Sequence, residues 1–229
     1  MGKNCQRATP RFHFRSKLLY SQRQYGQEWN TLLNLFTMSQ LEFFKPPAKT
    51  PSRSEVALIA ATLNFQIKLV QALSAKDADQ IIKISQGLIK PFGAATAFTK
   101  KTVWKYFNHP HTLPFIGVLR NEIIGFLVGV PLENFSDEQW ASLDPTLGDH
   151  ETIYTYAFIF DEKHQGQGYA KMLKKVYLNW LKKRGYLYVS GHVREGISHR
   201  FSLHTRVLQK YPNWHDTGKV FEYYQRPLR

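Results

Sequence analysis

The chain has 229 residues, enough for one full domain with an extension and a sizeable buried core. Apolar residues make up 43% and charged residues 21%, an ordinary globular balance, and no run approaches the ~18 apolar residues of a membrane span. The lone cysteine, Cys5, excludes an intrachain disulfide and Cys-based metal sites, while a formal charge of +14 suits any polyanion: nucleic acid, anionic lipid or a phosphorylated cofactor.

Residues 1–54 hold nine Lys/Arg and two Glu, so half of the excess charge is concentrated there. The first 27 residues carry Lys3, Arg7, Arg11, Arg15, Lys17 and Arg23 and no acidic group. Such a stretch fits an organellar transit segment, a disordered basic tail, or upstream sequence read through from a start at Met38; the last two are favoured. Single-cysteine usage points to a reducing, cytoplasmic setting, with organellar targeting as the alternative. Leu32, Leu33, Leu35, Phe36 and Leu41 suggest a short amphipathic helix, and the Pro-rich stretch Lys45–Ser52 reads as a linker. We therefore divide the chain into a basic extension with linker, 1–54, and a main domain, 55–229. The most apolar stretch, Val56 to Phe65, is too short to span a membrane.

From Phe65 the elements become readable. Alternation over Phe65–Val70 predicts a half-buried strand. Ser74 is placed as an N-cap, with Asp77 at capping-box spacing. Ala78, Ile81, Ile82, Ile84 and Leu88 give a helical apolar face up to Pro91, and Thr102–Phe107 reads as a second, short helix. Phe115–Leu119 and Ile123–Val130, joined by Arg120-Asn121-Glu122, predict an antiparallel hairpin. Asn134–His150, with Pro145 and Gly148, is a polar loop with a helical turn. Ile153–Phe160 is a strand, Tyr169–Arg184 a helix closed by Gly185, Tyr186–Val193 a strand, Ser198–Lys210 a helix and Lys219–Gln225 a last strand. The order β-α-α-β-β-β-α-β-α-β is that of a mixed α/β (α+β) domain, with a central, mostly antiparallel sheet flanked by helices.

One segment carries chemistry. In Phe158-Ile159-Phe160-Asp161-Glu162-Lys163-His164-Gln165-Gly166-Gln167-Gly168-Tyr169-Ala170 an apolar strand enters a polar turn, and two glycines then open an amphipathic helix. Glycines permit a sharp turn and close approach of a ligand. The first N–H groups of the helix, at the positive end of its dipole, suit a diphosphate. The dinucleotide and Walker patterns are both excluded by their missing residues.

Gln165-Gly166-Gln167-Gly168-Tyr169-Ala170 resembles the acetyl-CoA signature of the GCN5-related N-acetyltransferase (GNAT) superfamily, and the resemblance extends over roughly residues 65–229 in element order. It implies acetyl-CoA as co-substrate, with backbone groups of Gln165, Gly166, Gln167, Gly168, Tyr169 and Ala170 on the pyrophosphate. Phe158, Ile159 and Phe160 form the strand whose backbone, at Phe158 and Phe160, would pair with the pantetheine arm. Of the lysines at 171, 174 and 175, Lys171 is best placed for a phosphate, and a solvated helix face accounts for the other two. The resemblance also implies a thiolate-protonating tyrosine in the helix before the last strands. Leu208 stands at that position, so Tyr211 becomes the nearest substitute.

Candidate bases are Glu151 and Tyr154 at the start of the signature strand and His192 and Glu195 at the end of the next, with His192 at an ordinary pKa near ~6.5 suited to the task. The spacing of His199, His204 and His215 matches no common metal pattern, so no metal is expected. No Ser or Cys nucleophile lies near the signature, which favours direct attack of an amine on the thioester. The acceptor loops, Phe92–His111 and Asn134–His150, contain His109, His111, Asp137, Glu138, Asp144 and Asp149. The expected function is N-acetyl transfer to a primary amine of a small molecule or protein. The alternative is a non-catalytic acyl-CoA-binding or sensing module. A membrane role is not expected; a nucleic-acid role is disfavoured because no recognisable fold motif accompanies the charge. The oligomeric state, monomer or homodimer, is open.

Overall fold

The computed structural model describes residues 50–228. The basic tail, the helix predicted around Leu32–Leu41 and the linker up to Lys49 lie outside the described residues. The strands are β1 (Glu55–Ala61), β2 (Phe65–Ala72), β3 (Leu113–Leu119), β4 (Glu122–Pro131), β5 (Thr152–Phe160), β6 (Tyr188–Arg194), β7 (Arg206–Tyr211) and β8 (Phe221–Pro227). They form one eight-stranded sheet in the order β1-β2-β3-β4-β5-β6-β8-β7. Every neighbouring pair is antiparallel except β5 and β6, which run parallel. The longer helices are α1 (Ala75–Ser85), α2 (Lys100–Phe107) and α3 (Tyr169–Lys183), the last crossing from β5 to β6.

Local sequence explains the element ends. Ser74 Oγ accepts the Asp77 N–H at 3.3 Å, capping α1 as its position predicts. The return bond of the box runs through Ser54, whose hydroxyl accepts the Ser74 N–H and donates to the Asp77 carboxylate. Arg120 and Asn121 both take positive φ (50° and 69°), the two-residue turn whose twist suits the β3–β4 hairpin. Gly185, at φ 86°, ends α3 and lets the Tyr186 N–H reach back to the Leu181 carbonyl.

Helices α1 and α2 cover one face of the sheet, packing Ile81, Val103 and Phe107 against Phe126 and Val128. The opposite face is covered by α3, with Leu173, Tyr177 and Leu181 against Phe115 and Leu127. Phe115 meets Tyr177 and Trp180 edge-on at 5.5 and 5.6 Å. Burying each such side chain contributes roughly 1.5–3 kcal/mol, so the two faces together fix how the sheet sits between its helices.

Two expectations are corrected. Residues 55–61, seen in sequence only as part of an apolar stretch, form the edge strand β1. The helix predicted over Ser198–Lys210 does not form: a 3-10 turn at Ser198–Arg200 is followed by β7. The reason is tertiary. β8 offers an unpaired edge, and Arg206–Tyr211, with Val207 and Tyr211 among its residues, takes up its hydrogen bonds. The buried Glu222 side chain accepts the Ser198 N–H at 2.9 Å and holds the preceding turn. No helix among the described residues is long and apolar enough to cross a membrane.

Candidate active site

β5 and β6 pair only over Thr152–Tyr154 and Tyr188–Ser190. Both strands continue beyond that point without bonding each other. On its other side β5 pairs with β4 through a bulge: Val128 faces Ala157 and Gly129 faces Thr155, which leaves Tyr156 unmatched. A bulge bends and twists its strand, here swinging the second half of β5 out of reach of β6. A cavity of about 760 Å³ fills the gap. It is walled by Thr155–Phe158 of β5 and Gly191–Val193 of β6, and reaches both faces of the sheet.

The open edge of β5 presents backbone groups to this gap. The Asp161 N–H bonds the Ile124 carbonyl on β4 at 2.8 Å, so by strand alternation Phe160 and Phe158 direct their N–H and C=O the other way. Ile159 belongs to the opposite set, its backbone in register with Phe126 and its side chain packed over Gly87. Phe160 is seated because Gly125 lacks a side chain: a Cβ there would lie 2.5 Å from its ring.

After β5 the chain turns through Glu162–His164 into α3. The Gln165 N–H donates to the Glu162 carbonyl at 3.2 Å and so is taken. The amides of Gly166, Gln167, Gly168, Tyr169, Ala170 and Lys171 donate to no protein acceptor; the first bond of the helix is from Met172 to Gly168. Gly166 and Gly168 sit at φ 77° and 83°, the left-handed region that favours glycine, and a Cβ on either would meet nothing within 4 Å. Six consecutive donors beside open space fit a diphosphate, with exposed Lys171 in the first turn. The run of free amides thus starts at Gly166, one residue after Gln165.

The cavity wall differs between the faces. On the α1–α2 side it is aromatic: Phe92, Phe98, Phe135, Trp140, Tyr154, Tyr156 and Trp214. Glu138 is the only carboxylate among its described lining residues. His192 lies in this chamber, stacked on Trp214 at 3.9 Å and Tyr223 at 4.9 Å, with Nδ1 2.9 Å from Tyr154 Oη. Burial, aided by the nearby His215, pushes the imidazole down to about 3, so it is neutral at pH 7 rather than poised at its ordinary value. Its Nε2 is buried and unpartnered. Tyr211 ends β7, its ring 5.4 Å from His192 and its buried hydroxyl without a partner.

On the α3 side the wall is polar. Lys174, half-buried, brings its ammonium to 3.4 Å from Thr155 Oγ1, beneath the Phe158 ring and beside Arg226. Burial and the Arg226 charge push it down to about 7. Tyr224, from β8, is pushed up to about 12 by burial.

The remaining candidates lie elsewhere. Glu151 stands at the paired end of β5, its carbonyl accepting the Leu187 and Tyr188 N–H groups, and does not line the cavity. Glu195 is exposed and paired with Lys210 at 2.6 Å. Asp144 is buried, accepting Tyr223 Oη at 2.6 Å and Gln225 Nε2 at 2.7 Å, a structural role. Sequence reading missed Trp140, Trp214 and Arg226, which only the fold brings together. Lys174 carried a signal: four residues after Ala170 and three before Tyr177, it borders the apolar face of its helix. No group of three or more His, Cys, Asp or Glu suited to a metal occurs among the described residues.

The family model described as Acetyltransferase (GNAT) family matches residues 83–202, more than half of the chain. The chain belongs to the GNAT acetyltransferase family. Its fold is shared with a GCN5-related N-acetyltransferase from Kribbella flavida (13% identity, TM-score 0.54, covering 72% of this chain and 98% of that one). It is shared too with the ribosomal-protein-S18-alanine N-acetyltransferase from Escherichia coli (17%, 0.52, 72% and 94%) and an N-acetyltransferase from Staphylococcus aureus Mu50 (17%, 0.53, 72% and 99%). No curated protein matches the chain in sequence. Within this GNAT frame the C-terminal region departs from the expected pattern: Leu208, at the place the resemblance gives to a tyrosine, lies in strand β7 and packs with the Tyr154 and Tyr223 cluster.

Proposed function

We propose that this chain is an N-acyltransferase that moves an acetyl group from acetyl-CoA to a primary amine by direct attack. The observation that carries the reading is the run of unpaired amides from Gly166 to Lys171, on the turn that follows a strand with a free edge. Those amides and Lys171 would hold the pyrophosphate. The edge groups of Phe158 and Phe160 would pair with the pantetheine arm as an added strand, and one of their N–H groups can stabilise the oxyanion. The sequence-derived set of Phe158, Phe160, Gly166, Gln167, Gly168, Tyr169, Ala170 and Lys171 is retained; Gln165 and Ile159 contribute through the backbone turn and packing.

The acceptor would enter the aromatic chamber. Its desolvating walls lower the pKa of an alkylamine, which free in water is neutral in under about one part in a thousand at pH 7. Glu138 can attract the incoming ammonium and take up its proton. His192, neutral and bound to Tyr154, acts as a hydrogen-bonding wall group with Tyr211, and Glu151 has no part in the step.

Calorimetric titration with acetyl-CoA, followed by free-thiol release over a panel of amines, tests the reading. Binding at micromolar levels with amine-dependent thiol release is expected. Binding without turnover on any amine would favour the sensing module, for which the leucine at 208 speaks. No binding at all would end both.

A further inference from the structure

Lys174 and Arg226 are neighbouring cations in the wall of one cavity, and among the described residues no ion pair joins either to a carboxylate. Arg226 Nε is buried without a hydrogen-bond partner. Among the described residues the ammonium of Lys174 has the Thr155 hydroxyl and the faces of Phe158 and Tyr177 beside it, with Arg226 nearby. Two like charges partly withdrawn from water and left uncompensated are costly, and the arrangement makes sense if an anion arises between them during function.

The position says which anion. Lys174 projects from α3 into the gap beside Thr155 and Phe158, on the edge of β5 offered to the acyl donor. Tyr211, the sequence-derived proton donor, stands instead with Trp214 and His192 in the aromatic chamber on the other face. We propose that Lys174, supported by Arg226, is the group that receives and protonates the leaving thiolate of coenzyme A. This rests on the acyl-CoA reading above. As the C–S bond of the tetrahedral adduct breaks, its electron pair passes to sulfur and a proton moves from Nζ to the thiolate, leaving Nζ a neutral amine. The proton shed by the acceptor nitrogen returns to Nζ through solvent, so the cycle closes. Groups facing Nζ are Thr155 from β5, Tyr177 from α3, and Tyr224 and Arg226 from β8; none is a carboxylate that would hold the lysine permanently charged. With its pKa brought to about 7, the lysine can both give and regain a proton near neutrality.

The test needs no acceptor. Coenzyme A is bound to the full-length wild type, Lys174→Met and Tyr224→Phe proteins, and the thiol is titrated by the ultraviolet absorbance of its thiolate. A bound thiol titrating at least about one pH unit lower in wild type than in Lys174→Met, with Tyr224→Phe unchanged, is expected, because a nearby cation favours the thiolate. Lys174→Met replaces a half-buried cation with an apolar chain and should fold with a raised Tm. With any amine that turns over, it should lose on the order of 100-fold in kcat. Equal thiol titration in wild type and Lys174→Met overturns the proposal, as does an effect confined to Tyr224→Phe or a loss of coenzyme A binding in Lys174→Met. Failure of wild type to bind coenzyme A would instead refute the acyl-CoA reading itself.

Discussion

The two sides of the cavity use burial in opposite ways. On the α3 side burial strips charge from a lysine that keeps a second cation as neighbour; on the α1–α2 side it silences a histidine by stacking it between Trp214 and Tyr223. Both groups are moved by desolvation first. The lysine stays within reach of neutral pH, and the histidine leaves that range. The same physical cause therefore yields a titrating group on one wall and a rigid aromatic surface on the other.

Substitution at Gly168 should remove donor binding while leaving both walls in place. A valine there adds a β-branched side chain at φ 83° and crowds the open space beside the free amides. Coenzyme A affinity should fall at least about 100-fold by calorimetry, ~2.7 kcal/mol, with the fold retained by circular dichroism. Unchanged affinity would remove the diphosphate cradle from the argument.

Trp140→Ala sharpens the contrast between walls. Trp140 packs on Tyr154 at 4.7 Å and meets His192 edge-on at 5.1 Å. Its loss should raise KM for the amine roughly 10-fold or more while coenzyme A affinity moves less than about two-fold. An equal effect on both ligands would mean that the walls are not separate.

Stability against pH distinguishes the two walls without any ligand, with opposite limbs assigned to them. His192 titrates near 3 when folded and near ~6.5 when unfolded, so the unfolded chain binds the extra proton between those values. Stability should fall as pH drops through that window, by as much as about 3 kcal/mol at pH 4, and His192→Phe should flatten the limb. Lys174, near 7 when folded, lacks a proton that the unfolded chain holds up to about pH 10. Stability of the ligand-free protein should therefore rise from about pH 7 to pH 10, by at most about 3 kcal/mol, and Lys174→Met should abolish the rise. Chemical denaturation across pH measures both.

Glu151→Gln should do least. Glu151 stands outside the cavity, so kcat and KM should stay within about two-fold of wild type in steady-state kinetics. A larger loss would move the general base to the paired end of β5.

Much of the fold could be read from residues alone where local and tertiary preferences agree. Ser74 and Asp77 start α1, Arg120-Asn121 turns the hairpin, and the Gly166–Gly168 pair opens α3, because each depends on backbone φ or on hydrogen bonds within a few residues. The edge strands were less legible. Val207 to Tyr211 can face either a helix stripe or a ladder edge, and the unpaired rim of β8 settles the choice.

The free amides at the start of α3 could be read from residues alone, since they and the glycine φ are properties of one short segment, and so could the family. The sequence could not determine which side chains meet across the gap. Lys174 and Arg226 are far apart in the chain, as are Trp140, His192 and Trp214. They converge because the unmatched Tyr156 bends β5 away from β6 and opens the sheet at that point. The burial that resets the lysine and the histidine exists only once those walls have closed around them.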